Sequence, residues 1–134
     1  MPELDVAIEA AYEAGNSILE IYEGKYKTFT KSDDSPITEA DLKSNEIIKD
    51  ILSKTNYKIL SEEDKDDHKR LSEEIIWIVD PLDGTSDFID KTGEFTVMIA
   101  LVKNKKPIIG VIGWPTEKTI FAAQKGCGAF RFSK

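Results

Sequence analysis

A single cysteine, Cys127, excludes a disulfide within the chain and any thiolate zinc cage built from this chain alone, and it fits a reducing compartment. It stands between Gly126 and Gly128 and reads as a turn residue. The single histidine, His68, lies in Asp66-Asp67-His68-Lys69-Arg70, a solvated setting that argues against a catalytic base. Long apolar runs are also missing. Although 40% of residues are hydrophobic, stretches such as Ile75-Ile76-Trp77-Ile78-Val79 are far too short to cross a bilayer. The start, Met1-Pro2-Glu3-Leu4-Asp5, lacks the basic beginning and apolar centre of a secretory signal, so the cytoplasm is the default location. No Gly-x-Ser-x-Gly elbow, Walker loop or dinucleotide fingerprint occurs, which disfavours acyl transfer, P-loop chemistry and hydride transfer. Basic charge is short too: 18 Lys+Arg against 25 Asp+Glu leave a net charge of −7, a poor footprint for a nucleic-acid polymer. That acidity lets an anionic, phosphorylated substrate bind only if a cation mediates the contact, which favours a divalent metal.

What is present suits one domain of 134 residues, large enough to bury a core without staples. Apolar residues at Leu4, Ile8, Ala11, Ile18 and Tyr22 recur at the three-to-four spacing of an amphipathic helix, with Gly24 placed to stop it. Lys25 to Thr30 reads as a short strand or extended arm, and Lys31-Ser32-Asp33-Asp34-Ser35-Pro36 as a loop. A second helix is expected from Glu39 to Lys54, with Thr38 as N-cap and Leu42, Ile48, Ile51 and Leu52 on its buried side. The period then changes to that of strands, at Tyr57 to Leu60, Ile75 to Val79, Phe95 to Val102, Ile108 to Ile112, Thr119 to Ala123 and Ala129 to Phe132. Close reversals at Lys103 to Lys106 and at Thr116 to Lys118 imply antiparallel hairpins, since parallel neighbours need a longer crossover. Two N-terminal helices followed by a mostly antiparallel sheet make an α+β layer. Glu62 to Glu74 is a charged insertion without apolar period, read as a mobile loop.

The chemistry centres on Asp80-Pro81-Leu82-Asp83-Gly84-Thr85, which follows a strand apolar enough to be buried on both faces. Two Asp carboxylates and the Leu82 carbonyl between them supply the oxygens that Mg²⁺ takes. Gly84 permits close backbone approach, and Thr85-Ser86-Asp87-Phe88-Ile89 suits a short helix whose free N–H groups would meet a phosphate. Pro-x-Asp-Gly is also an ordinary turn sequence. Glu62 shifts the balance, because Leu60-Ser61-Glu62-Glu63 delivers a third carboxylate from a strand end. Three converging carboxylates call for neutralising cations, and two Mg²⁺ ions roughly 4 Å apart would do this while clamping a phosphoryl group. On spacing alone, Glu62 reads equally well as the solvated start of the acidic loop. Thr38-x-x-Asp41 is a capping-box-like pattern that needs no functional account. Thr85 fits either a cap on the following helix or a hydroxyl that orients a nucleophilic water.

Trp77 to Thr85, preceded by Ser61-Glu62-Glu63 and Thr38-Glu39-Ala40-Asp41, resembles the inositol-monophosphatase-like superfamily of magnesium-dependent, lithium-sensitive phosphatases. Lys31 to Thr38 and Gly93 to Leu101 look like its CysQ-type branch, the 3'(2'),5'-bisphosphate nucleotidases. The resemblance covers nearly the whole chain and implies the N-terminal domain of a layered αβαβα sugar-phosphatase fold. It implies metal ligation of two or three Mg²⁺ ions by Glu62, Asp80, Asp83 and the Leu82 carbonyl. It further implies a phosphate faced by Gly84, Thr85 and Ser86, and a water positioned and deprotonated by Asp41 with Thr85, without a covalent intermediate. The substrate would be a small phosphorylated molecule such as adenosine 3',5'-bisphosphate, with inositol monophosphatase or fructose-1,6-bisphosphatase-like activity as the alternative. Ser86-Asp87 departs from the Lys-Glu common in that branch.

Members of this superfamily continue for as long again, into a second domain with a Trp-Asp-x-Ala motif that adds a metal-binding Asp. The resemblance therefore implies that residues 1–134 are one metal-binding domain of a two-domain phosphatase, with incomplete coordination and weak or no turnover by themselves. A metal- or nucleotide-binding remnant without hydrolysis stays open, and so does the oligomeric state. A haloacid-dehalogenase-like site fits less well, because its two Asp residues are separated by one position and Asp80 and Asp83 by two. Asp80 to Asp90 also lacks the ligand spacing of an EF-hand.

Overall fold

Small side chains on one stripe of the first helix decide how closely it can lie on the sheet. In the computed structural model, which describes residues 3–64 and 73–133, α1 spans Glu3–Tyr22 and buries Ala7, Ala10, Ala11, Ala14, Gly15 and Ile18. A Cβ added at Gly113 would touch Ala11 at 3.6 Å, so helix and strand meet there with almost no side chain between them. Gly24 follows the helix end, as its sequence position predicts, and its N–H donates to the Ile21 carbonyl at 3.0 Å. A hairpin of β1 (Thr28–Thr30) and β2 (Pro36–Thr38) comes next, so Pro36 belongs to a strand rather than to the predicted loop.

Helix α2 (Glu39–Leu52) starts at the predicted N-cap, Thr38, and gives way to a 3-10 turn at Ser53–Thr55, two residues before the predicted end. Ile48, Ile51 and Leu52 are buried as predicted, but Leu42 is 46% exposed. At 3.6 residues per turn, Ala40, Asp41, Ser44, Ile48, Ile51 and Leu52 share one arc, and Leu42 lies roughly 80° outside it. Asp41 and Ser44 hold the places on that arc where an apolar pattern would put Leu42.

The sheet has six strands in chain order: β3 (Lys58–Ser61), β4 (Ile75–Asp83), β5 (Thr96–Lys103), β6 (Lys106–Trp114), β7 (Thr119–Gln124) and β8 (Gly128–Ser133). Both predicted hairpin reversals are present, and all pairings are antiparallel except β3 with β4. A short helix, α3 (Thr85–Ile89), leaves the end of β4. Helices α1 and α2 cover one sheet face, where Trp77, Val79, Val97, Ile99, Leu101 and Val111 form the core. The opposite face stays open among the described residues. Ile78 is 42% exposed, which corrects the expectation that β4 is buried on both faces; Met98, Ile112 and Phe121 lie exposed on the same side. Apolar residues on both faces hide the alternation that would have distinguished them. No helix among the described residues is long and apolar enough to cross a membrane.

Candidate active site

The parallel pairing of β3 and β4 is what brings separate parts of the sequence together. Ser61 pairs with Val79, so the next residues, Glu62 and Asp80, leave the same sheet edge side by side; the Glu62 N–H donates to the Val79 carbonyl at 3.0 Å. On the other side of β4 the register runs from Asp80–Met98 to Asp83–Thr96, with one extra residue on β4. This bulge bends the strand and re-aims its side chains. Without it, Asp80 and Asp83, three residues apart, would point to opposite faces.

The electrostatics register that convergence. The Asp80 carboxyl is pushed up to about 7, first by burial, then by hydrogen bonding with and the negative charge of Glu62, and then by the charge of Asp83. Its Oδ1 is buried without a hydrogen-bond partner. A buried carboxylate oxygen with no donor, pressed by two like charges, is chemically suited to a cation. The donors do not form a finished cage, however: among the described residues no three His, Cys, Asp or Glu side chains are grouped so as to hold an ion. Glu62 and Asp83 are exposed, and Leu82 buries its side chain.

Gly84 begins α3 with φ +95, and a Cβ there would stand 2.8 Å from the Glu94 carbonyl oxygen. Glycine is therefore required twice, by the left-handed backbone and by that close approach. Gly84 is itself the N-cap and no side chain caps α3, so the cap reading of Thr85 does not hold. Instead, Thr85 Oγ1 donates to Asp41 Oδ1 at 2.8 Å. The other oxygen, Asp41 Oδ2, accepts from Thr38 N–H at 2.8 Å and from Thr38 Oγ at 2.7 Å. Asp41 thus both caps α2 and reaches the β4–α3 junction, although it is only 2% exposed. Ser86 is exposed, one residue beyond Thr85.

Several neighbours of the site were not singled out by sequence reasoning. Lys31, from the β1–β2 loop, places its ammonium 2.7 Å from Glu63 Oε1 and 3.9 Å from Glu62 Oε1. Burial works against the charge on Lys31, but Glu63, Glu62 and Asp41 outweigh it and raise its pKa. Burial likewise pushes the Glu63 carboxyl up, and the opposing pull of Lys31 does not fully offset it. Ser44 and Asn45 on α2 also bond to the site strands. Their sequence signal was slight: polar residues three and four positions after Asp41, Ser44 inside the buried arc and Asn45 at its margin. His68 lies outside the described residues, as does the middle of the Glu62 to Glu74 insertion.

The sequence profile of the inositol monophosphatase family matches residues 2–134. The chain belongs to the inositol monophosphatase family. Among curated relatives of this family, the 3'(2'),5'-bisphosphate nucleotidase CysQ of Escherichia coli K12 is 39% identical over 128 residues, covering 92% of this chain and 52% of the relative. The histidinol-phosphatase of Chlorobaculum parvum is 37% identical over 131 residues, 96% of this chain and 50% of its own length. The crystal structure of CysQ from Bacteroides thetaiotaomicron, a bacterial family member, superposes with a TM-score of 0.87 at 48% identity, over 98% of this chain and 49% of that one. The chain spans about half the length of the relatives it matches, and the α+β layer is that of the family.

Proposed function

We propose that this chain carries the metal-holding part of a Mg²⁺-dependent phosphomonoesterase that hydrolyses a 3'(2'),5'-bisphosphate nucleotide such as adenosine 3',5'-bisphosphate. The observation that carries the reading is the parallel register that sets Glu62 beside Asp80, one bulge away from Asp83, with Asp80 Oδ1 buried and unbonded. In this reading Glu62, Asp80, Asp83 and the Leu82 carbonyl hold two or three Mg²⁺ ions, the full set needing donors beyond residues 1–134. Bound Mg²⁺ supplies charge neutralisation for the phosphoryl group and a more acidic water. Gly84, Thr85 and Ser86 face the phosphate where α3 begins. Asp41 accepts the Thr85 hydroxyl hydrogen bond, which leaves the Thr85 lone pairs free to orient a water; as that water gives its proton to the Thr85 oxygen, the Thr85 proton would pass to the Asp41 carboxylate. The identity to CysQ proteins supports the nucleotide, and a second domain, as long again, would recognise base and ribose.

Ser86-Asp87 and the histidinol-phosphatase relative favour a second reading, a different small phosphate monoester at the same site. Phosphate release by the longer protein in Mg²⁺ separates these readings, with adenosine 3',5'-bisphosphate, inositol 1-phosphate and histidinol phosphate offered in parallel. Preference for the first is expected. Failure on all three, together with Mg²⁺ binding that Asp83→Asn abolishes, would leave a metal-binding remnant.

A further inference from the structure

Three side chains of α2, Asp41, Ser44 and Asn45, stand at positions i, i+3 and i+4 and so share one helix face. Each grips a different segment of the site. Asp41 holds Thr85, as described. The Ser44 hydroxyl is fully buried and donates to the Pro81 carbonyl at 2.7 Å, inside the bulge between Asp80 and Asp83. Asn45 uses both ends of its amide. Its Oδ1 accepts the Ser61 hydroxyl at 2.5 Å, and its Nδ2 donates to Asp64 Oδ1 at 3.1 Å. Ser61 ends β3 and Asp64 closes the reversal that follows, so one amide ties down both ends of the turn that carries Glu62 and Glu63. Lys49, one turn along the helix, holds the second Asp64 oxygen at 2.8 Å.

We propose that Asn45, assisted by Ser44, is a positioning residue of the metal site: α2 acts as the template that sets the Glu62 turn and the Asp80–Asp83 bulge at a fixed separation. The inference rests on the metal-binding reading of those carboxylates. Backbone bonds alone do not fix this separation. Glu62 is tied to β4 through one N–H, and the bulge is by definition the place where the ladder to β5 is interrupted. The amide matters because it donates and accepts at once. A carboxylate of the same shape keeps the bond to Ser61 but turns the contact with Asp64 into a repulsion.

This suggests a polarity swap. Asn45→Asp is expected to weaken Mg²⁺ binding by the folded chain about tenfold, the scale seen when partners behind metal ligands are lost, and to speed hydrogen exchange at the Glu62 amide. Adding Asp64→Asn restores one donor facing one acceptor, reversed, and is expected to recover most of the affinity; a residue that merely supported stability would not show this rescue. Calorimetric titration with MgCl₂ alone and amide exchange by NMR read the two effects separately. Unchanged Mg²⁺ affinity in folded Asn45→Asp, or no recovery in the double variant, overturns the proposal. If the unaltered chain binds no Mg²⁺, the reading that these residues hold an ion by themselves fails; exchange at Glu62 then decides alone, faster exchange in Asn45→Asp supporting the template and unchanged exchange removing it.

Discussion

With its carboxyl pushed up to about 7, Asp80 is close to half protonated at neutral pH, and the sign of its effect on stability follows from that. The folded chain holds the Asp80 proton more tightly than the unfolded chain does. Its contribution is therefore fully present below the ordinary aspartate range near 4 and is lost as pH rises toward 7. Asp80→Asn, a neutral mimic of the protonated acid, is expected to stabilise the metal-free fold above pH 7 by roughly 1–2 kcal/mol, a value reduced for solvent screening. The gain should shrink through about pH 4 and vanish by about pH 3, where the native carboxyl is protonated in both states. Urea unfolding at several pH values without Mg²⁺ measures the difference. A stabilising loss of a carboxylate is the mark of a group placed for chemistry rather than for the fold.

Among the elements, α2 shows most clearly what the sequence could and could not disclose. Its start at Thr38 was legible because a capping pattern is local, and the buried Ile48, Ile51 and Leu52 because they keep the helical period. Leu42 was misplaced because the face toward β4 is partly polar, Asp41 and Ser44 being satisfied there by bonds to residues far along the chain. The Asp41–Thr85 pairing was implied only by the family resemblance, and the Ser44–Pro81 bond has no sequence signature. Ile48→Ala is expected to cost about 2–5 kcal/mol, whereas Leu42→Lys should stay within about 0.5 kcal/mol of the unaltered chain. Equilibrium denaturation of the two variants checks the assignment directly. The strands of the large sheet were found near their predicted places, although β4 runs four residues past its predicted end and β2 was not foreseen. The Asp80–Asp83 bulge and the parallel direction of the β3–β4 pairing were not foreseen either, because both depend on neighbours rather than on the strand itself.

At the scale of the whole molecule, the sheet joins pairings of very different reach along the chain. Gln124 pairs with Gly128 across a tight turn, and Lys103 with Lys106, but Lys58 must find Ile76 and Leu60 must find Ile78 across the charged insertion. Bringing distant segments together costs chain entropy before any contact offsets it, so the hairpins of β5 to β8 are expected to organise first and the parallel pair last. Leu60→Ala should then leave the folding rate almost unchanged and raise the unfolding rate, while Ile109→Val should slow folding; stopped-flow chevron plots of both variants test this order. The edge where Glu62 meets Asp80 would thus come into being after the barrier has been crossed. If the proposed cation binds there, it would act as a late lock: Mg²⁺ would lengthen the lifetime of the folded chain without hastening its formation.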